Sequence, residues 1–376
     1  MKNRFTLSEL AGAFGDLGTL IPFVIAYISI VGMDPASILL MFGATLIVVG
    51  LSFKTPFPVQ PMKAIGAAAV TQTVGAVALT PAMVAGAGLV TGAIWLGLAA
   101  TGLAKRLAQW IPKPALLGVV MGLGFSFMLE GIRMMAQSWW LAAALLVTTI
   151  ILLARSRLPA MVVLLIAGAF VAVVQQPTLA DDLALIKPVF HLPDLAWPTL
   201  GWHDVWLGAL LLALPQLPLT FGNALIAITE ENNRLFPDRP VTERQVALST
   251  GVVNLFSSAI GGIPMCHGAG GMAGHVKFGA RTGGASMMLG MLLTGLGLFF
   301  ADSVGTLFRL FPPAVLGVIL FLAGAELALG SRDPSTEKED RFVVLATAAF
   351  AVLNVGVAVI FGIVAHHAAR RGWLRA

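Results

Sequence analysis

Apolar runs of bilayer-spanning length recur from one end of this chain to the other, and no other feature restricts its fold as severely. Crossing the hydrocarbon core of a membrane takes about 20 residues of apolar helix. Such runs lie at approximately 10–31, 36–53, 60–79, 82–103, 114–131, 138–154 and 158–175. After a polar, proline-containing stretch from Gln176 to His203, a second series follows at 204–228, 243–260, 265–280, 284–300, 312–329, 341–353 and 355–369. The pattern predicts an all-α polytopic membrane protein of about 14 transmembrane segments, the last two too short to span alone. Only 11% of the residues are charged, against about 25% in a soluble domain, so the chain has too little polar surface to dissolve.

The 41 glycines and 21 prolines are many for plain helices. Membrane helices tolerate them where neighbours or a water-lined cavity satisfy the freed backbone groups. Cys266 is the single cysteine, so no internal disulfide forms.

The net charge of +5 does not point to nucleic acid, because Lys and Arg cluster in loops at alternate gaps between the apolar runs. This is the positive-inside pattern. Lys2, Arg4, Lys54, Lys105, Arg106, Lys113, Arg155, Arg157, Arg234, Arg239, Arg244, Arg332, Lys338, Arg341, Arg370, Arg371 and Arg375 all fit a cytoplasmic face. Arg133, Lys187 and Arg309 fall on the other face, with Asp34, Asp181, Asp182, Asp194 and Asp302. Both termini are therefore predicted to be cytoplasmic. The opening residues, with Glu9 and Asp16 and no small-residue cleavage site, read as a tail leading into the first helix rather than a removed signal.

The two series also match in sequence. Pro114-Ala-Leu-Leu-Gly-Val-Val120 and Pro313-Ala-Val-Leu-Gly-Val-Ile319 agree at five of seven positions, 199 residues apart. Gln60-Pro61-Met62 parallels Ile263-Pro264-Met265 at nearly the same offset. Two matches in the same order indicate a duplication, with repeats over 1–203 and 204–376. An odd number of crossings per repeat makes the copies inverted, as in many secondary transporters.

In such folds the site lies near the midplane, at broken helices. Each half offers one break. The first is Lys54-Thr-Pro-Phe-Pro-Val-Gln-Pro-Met-Lys63, where Pro58 to Pro61 cannot be continuous helix and Pro61 suits a first helical position. The second is Gly261-Gly-Ile-Pro-Met-Cys-His-Gly-Ala-Gly-Gly-Met-Ala-Gly274, where Pro264 precedes a helix start of very small residues. Two helix N-termini facing each other offer free N–H groups and positive dipole ends, an anion site. Lys63, about one turn into the first half-helix, adds a full charge. Gln60, Thr71 and His267 are candidate donors, and Gly268, Gly270 and Gly271 let a ligand approach the backbone.

Acids inside membrane segments are costly and point to function. Asp16, in Gly15-Asp-Leu-Gly18, either carries a coupling proton or caps a local break, and Glu326 in the twelfth segment is a second coupling candidate. Pro215-Gln216-Leu-Pro218 and Asn223 place a kink and amide donors in the eighth segment, the symmetry partner of the Gly15–Pro22 region.

At Pro58-Val-Gln-Pro-Met-Lys-Ala-Ile65 and Gly262-Ile-Pro-Met-Cys-His-Gly-Ala-Gly-Gly-Met-Ala273, continuing through Phe278-Gly-Ala-Arg-Thr-Gly283, the chain resembles the bacterial and plant molybdate transporter family, related to sulfate permeases. Gly12-Ala-Phe-Gly-Asp-Leu-Gly-Thr-Leu-Ile-Pro22 and Leu214-Pro-Gln-Leu-Pro-Leu-Thr-Phe-Gly-Asn223 resemble its first and eighth helices. The resemblance implies the sulfate and nucleobase permease fold. Its core domain would be helices one to four and eight to eleven, moving against a gate domain of the rest. The implied substrate is an oxyanion: molybdate first, tungstate or sulfate next. Substrate contacts are then expected at Gln60, Pro61, Lys63, Pro264, Cys266, His267, Gly268, Gly270, Gly271, Gln216 and Asn223.

By the same resemblance a homodimer is plausible, in a bacterial inner membrane, with no cofactor. The end at Ala376 leaves no room for a regulatory domain of the sulfate permease kind. A proton-coupled nucleobase carrier of the same fold is the alternative, although it would favour acids where Gln216, Asn223 and glycines stand. Met265-Cys-His267 alone cannot surround a soft metal. Neither an HExxH zinc motif nor a phosphate-binding Gly-rich loop is present, so the chain reads as no enzyme and no ATP-driven pump.

Overall fold

The computed structural model describes residues 2–71, 73–74, 77–155, 160–193, 200–330 and 337–373. Arg157, Asp194, Arg332 and Arg375 fall outside these residues, as do the side chains of Thr71, Arg155 and Pro218.

Helix α1 (Leu7–Ala13) starts where the Thr6 hydroxyl accepts from the Glu9 N–H. A 3-10 turn over Phe14–Asp16 joins it to α2 (Leu17–Ser29), so the first crossing changes pitch at Gly15-Asp16. Helix α3 (Pro35–Phe53) opens with proline behind Asp34, whose carboxylate accepts from Ala36 and Ser37. It stops at Lys54, the only non-glycine residue with positive φ (59°) among those described. That left-handed residue terminates the helix and sends the chain into an extended stretch, Thr55 to Val59.

There β1 (Gln60–Pro61) precedes α4 (Lys63–Thr71), and a short hairpin of β2 (Thr73–Val74) and β3 (Val77–Ala78) follows. Helix α5 (Pro81–Thr101) turns at Gly102 into α6 (Leu103–Gln109). Then come α7 (Lys113–Met135), α8 (Trp139–Arg155), α9 (Ala160–Gln175) and the short α10 (Thr178–Ala184).

In the second half, α11 (Trp202–Leu207), α12 (Leu214–Phe221) and α13 (Ile228–Leu235) form one crossing through π turns over Gly208–Ala213 and Gly222–Ala227. Pro215 has no N–H for the carbonyl four residues back, and the wider turn lies just before it. Helix α14 (Glu243–Ala259) is opened by a Thr242–Gln245 capping box. It leads to β4 (Met265–Cys266), α15 (Ala269–Lys277), α16 (Gly284–Phe299), α17 (Val304–Phe308), α18 (Pro313–Gly330), α19 (Lys338–Leu353) and α20 (Val355–Arg370).

Each of the fourteen expected segments contains helix. Five described helical stretches are long and apolar enough to cross a bilayer unaided, among them Pro35–Phe53 and Pro81–Thr101. The rest are short or bent. Two expectations at the breaks are corrected. Pro61 is not the first helical residue but part of an antiparallel bridge in which Gln60 faces Cys266 and Pro61 faces Met265. The missing proline N–H is replaced there by its neighbour, since Met62 N–H donates to the Pro264 carbonyl at 3.0 Å. Helix α4 therefore starts two residues later, and Lys63 is its first residue rather than one turn in.

The helices pack as two bundles. In the core bundle α3 lies along α16, α5 along α14, and α1 and α4 close the set with α11 to α15. In the gate bundle α7 packs along α18, α19 and α20, with α8 and α9 outside. Contact between bundles runs mainly through α15 and α2 against α18. Within the core, α15 crosses the broken first span at glycines: a Cβ on Gly274 would stand 2.2 Å from the Gly15 carbonyl oxygen, so only glycine allows this approach.

Candidate functional site

An extended, proline-rich segment inside a membrane leaves carbonyls that helix would have satisfied, and each unmet group costs several kcal/mol. Here three consecutive carbonyls are met by side chains of the second half. His275 Nδ1–H donates to Pro56 O at 3.0 Å, Ser286 Oγ–H to Phe57 O at 2.8 Å, and His267 Nδ1–H to Pro58 O at 2.9 Å. The opposite strand is clamped by Asn254, whose amide donates to Met265 O and accepts from Met265 N–H. The Ser257 hydroxyl holds Ile263 O. These bonds fix the crossing of the two breaks, so α4 and α15 start side by side at the bridge.

Gln60 stands at the centre. Its Nε2–H donates to Asp16 Oδ1 (2.5 Å) and Thr19 Oγ1 (3.0 Å), and the Thr19 hydroxyl also donates to Asp16. The amide lies flat against α15: a Cβ on Gly268 would be 1.7 Å from Gln60 Oε1, and one on Gly271 would be 2.5 Å from Asp16 Oδ2. Asp16 is thus held within the site rather than serving only as a helix cap. Gln216, from the eighth crossing, accepts the Ala64 N–H (2.7 Å) through Oε1 and donates to Thr220. It takes up one of the free N–H groups of α4. Asn223, in the second π turn, is buried beside Gly268, and its Oδ1 has no partner among the described residues.

Lys63 Nζ is the decisive atom. It is buried, has no hydrogen-bond partner among the described residues, and lies 3.5 Å from the centroid of the Phe127 ring. The N–H groups of Ala269 and Gly270, at the start of α15, make no hydrogen bond within the described chain. A buried ammonium beside unpaired helix N-terminal donors makes a positive site, opposed within it by the carboxylate of Asp16.

The other expected residues are placed as follows. Pro61 and Cys266 lie on opposite strands of the bridge, Pro61 facing Met265 and Cys266, its thiol buried, facing Gln60, and the Pro264 carbonyl accepts the Met62 N–H. His267 has both ring nitrogens engaged, Nε2 with the Ser249 hydroxyl at 2.9 Å, and its ring sits edge-on to Phe57. Glu326 lies away from this centre, ion-paired with Lys277 at 3.0 Å. Thr19, Ser249, His275, Ser286, Asn254 and Phe127 were not singled out from sequence. The buried His275, eight residues after His267, was the one available signal, a second histidine on a very small-residue helix.

A cavity of about 1120 Å³ reaches the site between the bundles. Its lining runs from Thr19, Lys63 and Phe127 to Glu130, Arg133, Gln176 and Arg309. Arg133 and Glu130 pair with each other at the exposed end, and Arg309 pairs with Asp182. Away from the cavity lining, Lys277 pairs with Glu326 and joins α15 to α18.

This fold is that of anion-transporter membrane domains. The transmembrane domain of the cyanobacterial bicarbonate transporter BicA matches with a TM-score of 0.57 and 16% identity, over 96% of this chain and 98% of that one. The murine anion transporter Slc26a9 in its inward-facing state matches at 0.61 and 13%, over all of this chain and 70% of that one. A family model described as "Molybdate transporter of MFS superfamily" matches residues 8–127 and 208–327. Molybdate transporter 2 of Arabidopsis thaliana is 33% identical over 412 residues, covering 96% of this chain and 86% of that protein. Molybdate transporter 1 of Chlamydomonas reinhardtii is 31% identical over 475 residues, covering 96% and 91%. The chain belongs to the molybdate transporter family.

Proposed function

We propose that this protein carries molybdate across the membrane by alternating access, with the anion seated between the N-termini of α4 and α15. The observation that carries the reading is the buried, unpartnered Lys63 ammonium at that junction. A tetrahedral dianion accepts hydrogen bonds on all sides and gains from a full positive charge in a water-poor site. Ala269 and Gly270 N–H donate from one half, Lys63 from the other, and the Asn223 amide turns its NH₂ toward the anion. Gln60, Gln216, Pro61, Pro264 and Cys266 shape the seat, while His267 holds the first break open through Pro58. The relatives named as molybdate transporters support the substrate.

Asp16 lies within the site, bonded to Gln60, so its carboxylate repels an arriving dianion unless a proton neutralises it. We read it as the coupling residue. The pair Lys277–Glu326 closes the far side of the bundle interface while the cavity is open, and it breaks when the core slides against the gate. With both termini cytoplasmic, the cavity faces the outside. The inverted repeats 1–203 and 204–376 account for the matching places of the two breaks; an inner-membrane location and a homodimer follow the same reading.

The test is binding of molybdate, tungstate, sulfate and uracil to purified wild-type protein and to Lys63→Ala. Molybdate and tungstate binding above sulfate, weakened in the variant, is expected. Uracil binding, or oxyanion binding indifferent to Lys63, contradicts the substrate class or the site respectively.

A further inference from the structure

The seat between the half-helices is filled by a side chain of the other bundle. Phe127 belongs to α7 in the gate, whereas the charged and amide groups of the site belong to the core. Its ring centroid lies 3.5 Å from Lys63 Nζ. Its edge comes so close to α15 that a Cβ on Gly270 would stand 1.7 Å from Cε2. The ring therefore bridges the first residue of α4 and the second residue of α15. Its Cβ is set by α18, where a Cβ on Gly324 would stand 2.8 Å away.

An oxyanion bonded both to Lys63 Nζ and to the Gly270 N–H needs oxygens at about 2.7–3.0 Å from each donor. The ring stands against both residues, on Lys63 Nζ and on the Cβ side of Gly270, so it takes up room beside both donors. The aromatic face also explains how a buried ammonium without a hydrogen bond is tolerated here, since the ring quadrupole attracts a cation.

We propose that Phe127 is a plug competing with the oxyanion for one place, so that residue 127 sets the affinity of the carrier. The empty carrier keeps Lys63 against the ring. The anion enters from the cavity as the ring swings aside or withdraws with the gate, and Lys63 exchanges an aromatic face for an oxygen. This rests on the oxyanion reading of the site.

The experiment is molybdate binding to the purified full chain with Phe127→Leu, Phe127→Ala, Phe127→Trp and Lys63→Ala, each checked for a sharp thermal transition. Leu keeps the apolar packing at Gly324 and carries the test if Ala does not fold. Tighter binding by roughly tenfold for Leu and Ala, the size of a lost desolvated cation–π contact, and weaker binding for Trp, supports the plug. Wild-type or weaker binding in Leu and Ala, with binding lost in Lys63→Ala, overturns the plug and leaves the site standing. Wild-type binding in Lys63→Ala removes the site itself, and the plug with it.

Discussion

The two broken segments occupy equivalent places in the two halves, yet they do different work. The first break carries the charge and the amide, Lys63 and Gln60, and exposes three carbonyls that helix would have satisfied. The second carries no charge at its helix start. Its glycines at 268, 270 and 271 make room for Gln60, Phe127 and Asp16, while its histidines at 267 and 275 turn away to bond the carbonyls of Pro58 and Pro56. The two breaks thus share a backbone form and differ in chemistry: one supplies charge, the other space and support.

Five substitutions test this division, the strongest first. Lys63→Ala removes the charged half, and truncating one partner of a buried charged contact costs about 2–5 kcal/mol. Molybdate binding is expected to weaken on the order of 100-fold by titration calorimetry, whereas Lys277→Ala, which removes a lysine outside the site, leaves it near wild type. Equal losses in both would dissolve the distinction between the two cations. Gly270→Ala spoils the space. Overpacking of this kind costs about 1–3 kcal/mol, and roughly tenfold weaker binding is expected, whereas in the Phe127→Leu background the same change costs nothing and the double variant binds as tightly as Phe127→Leu alone. Simple additivity across that double-mutant cycle would show that the two residues do not share a boundary.

Asp16→Asn probes the coupling assigned to the first break. Uptake into proteoliposomes by the wild type is expected to rise as external pH falls, because a protonated Asp16 no longer repels the dianion. The variant should lose that slope, and a retained slope would move coupling elsewhere. His267→Asn tests support rather than contact. It leaves the Pro58 carbonyl poorly met, a loss of about 1–3 kcal/mol for an unsatisfied buried group, so the thermal midpoint falls by several degrees. Affinity in the folded fraction changes only a few-fold; a large affinity loss at unchanged midpoint would make His267 a direct ligand. The weakest effect belongs to Glu326→Gln. This ion pair is partly exposed, such pairs are worth about 0–1 kcal/mol at a surface, and a two- to threefold rise in transport rate is the expected sign of an easier opening on the Lys277 side.

Much of this was legible in the sequence because its cause is local. Apolar run length defines the crossings, and proline spacing marks both breaks. Lys63 was legible because it follows the proline break directly, where a half-helix starts. What was not legible depends on distant partners. The bridge of Gln60 with Cys266 spans two residues per strand and leaves no alternation to read. His267 looked like a ligand because only the folded chain shows the Pro58 carbonyl waiting for it. Phe127 sits in an apolar helix among residues of the same character, and nothing in the run Leu123 to Met128 separates a plug from ordinary packing. Glu326 stood out as an intramembrane acid, but its partner Lys277 lies 49 positions away.

The most direct test of the central claim is a structure of the full chain with tungstate, whose electron density is unmistakable. The tungsten is expected between the helix starts, its oxygens within hydrogen-bond distance of Lys63 Nζ and of the Ala269 or Gly270 N–H. Tungstate resting instead among Arg133, Arg309 and the cavity mouth, with Lys63 still against the Phe127 ring, would contradict the account.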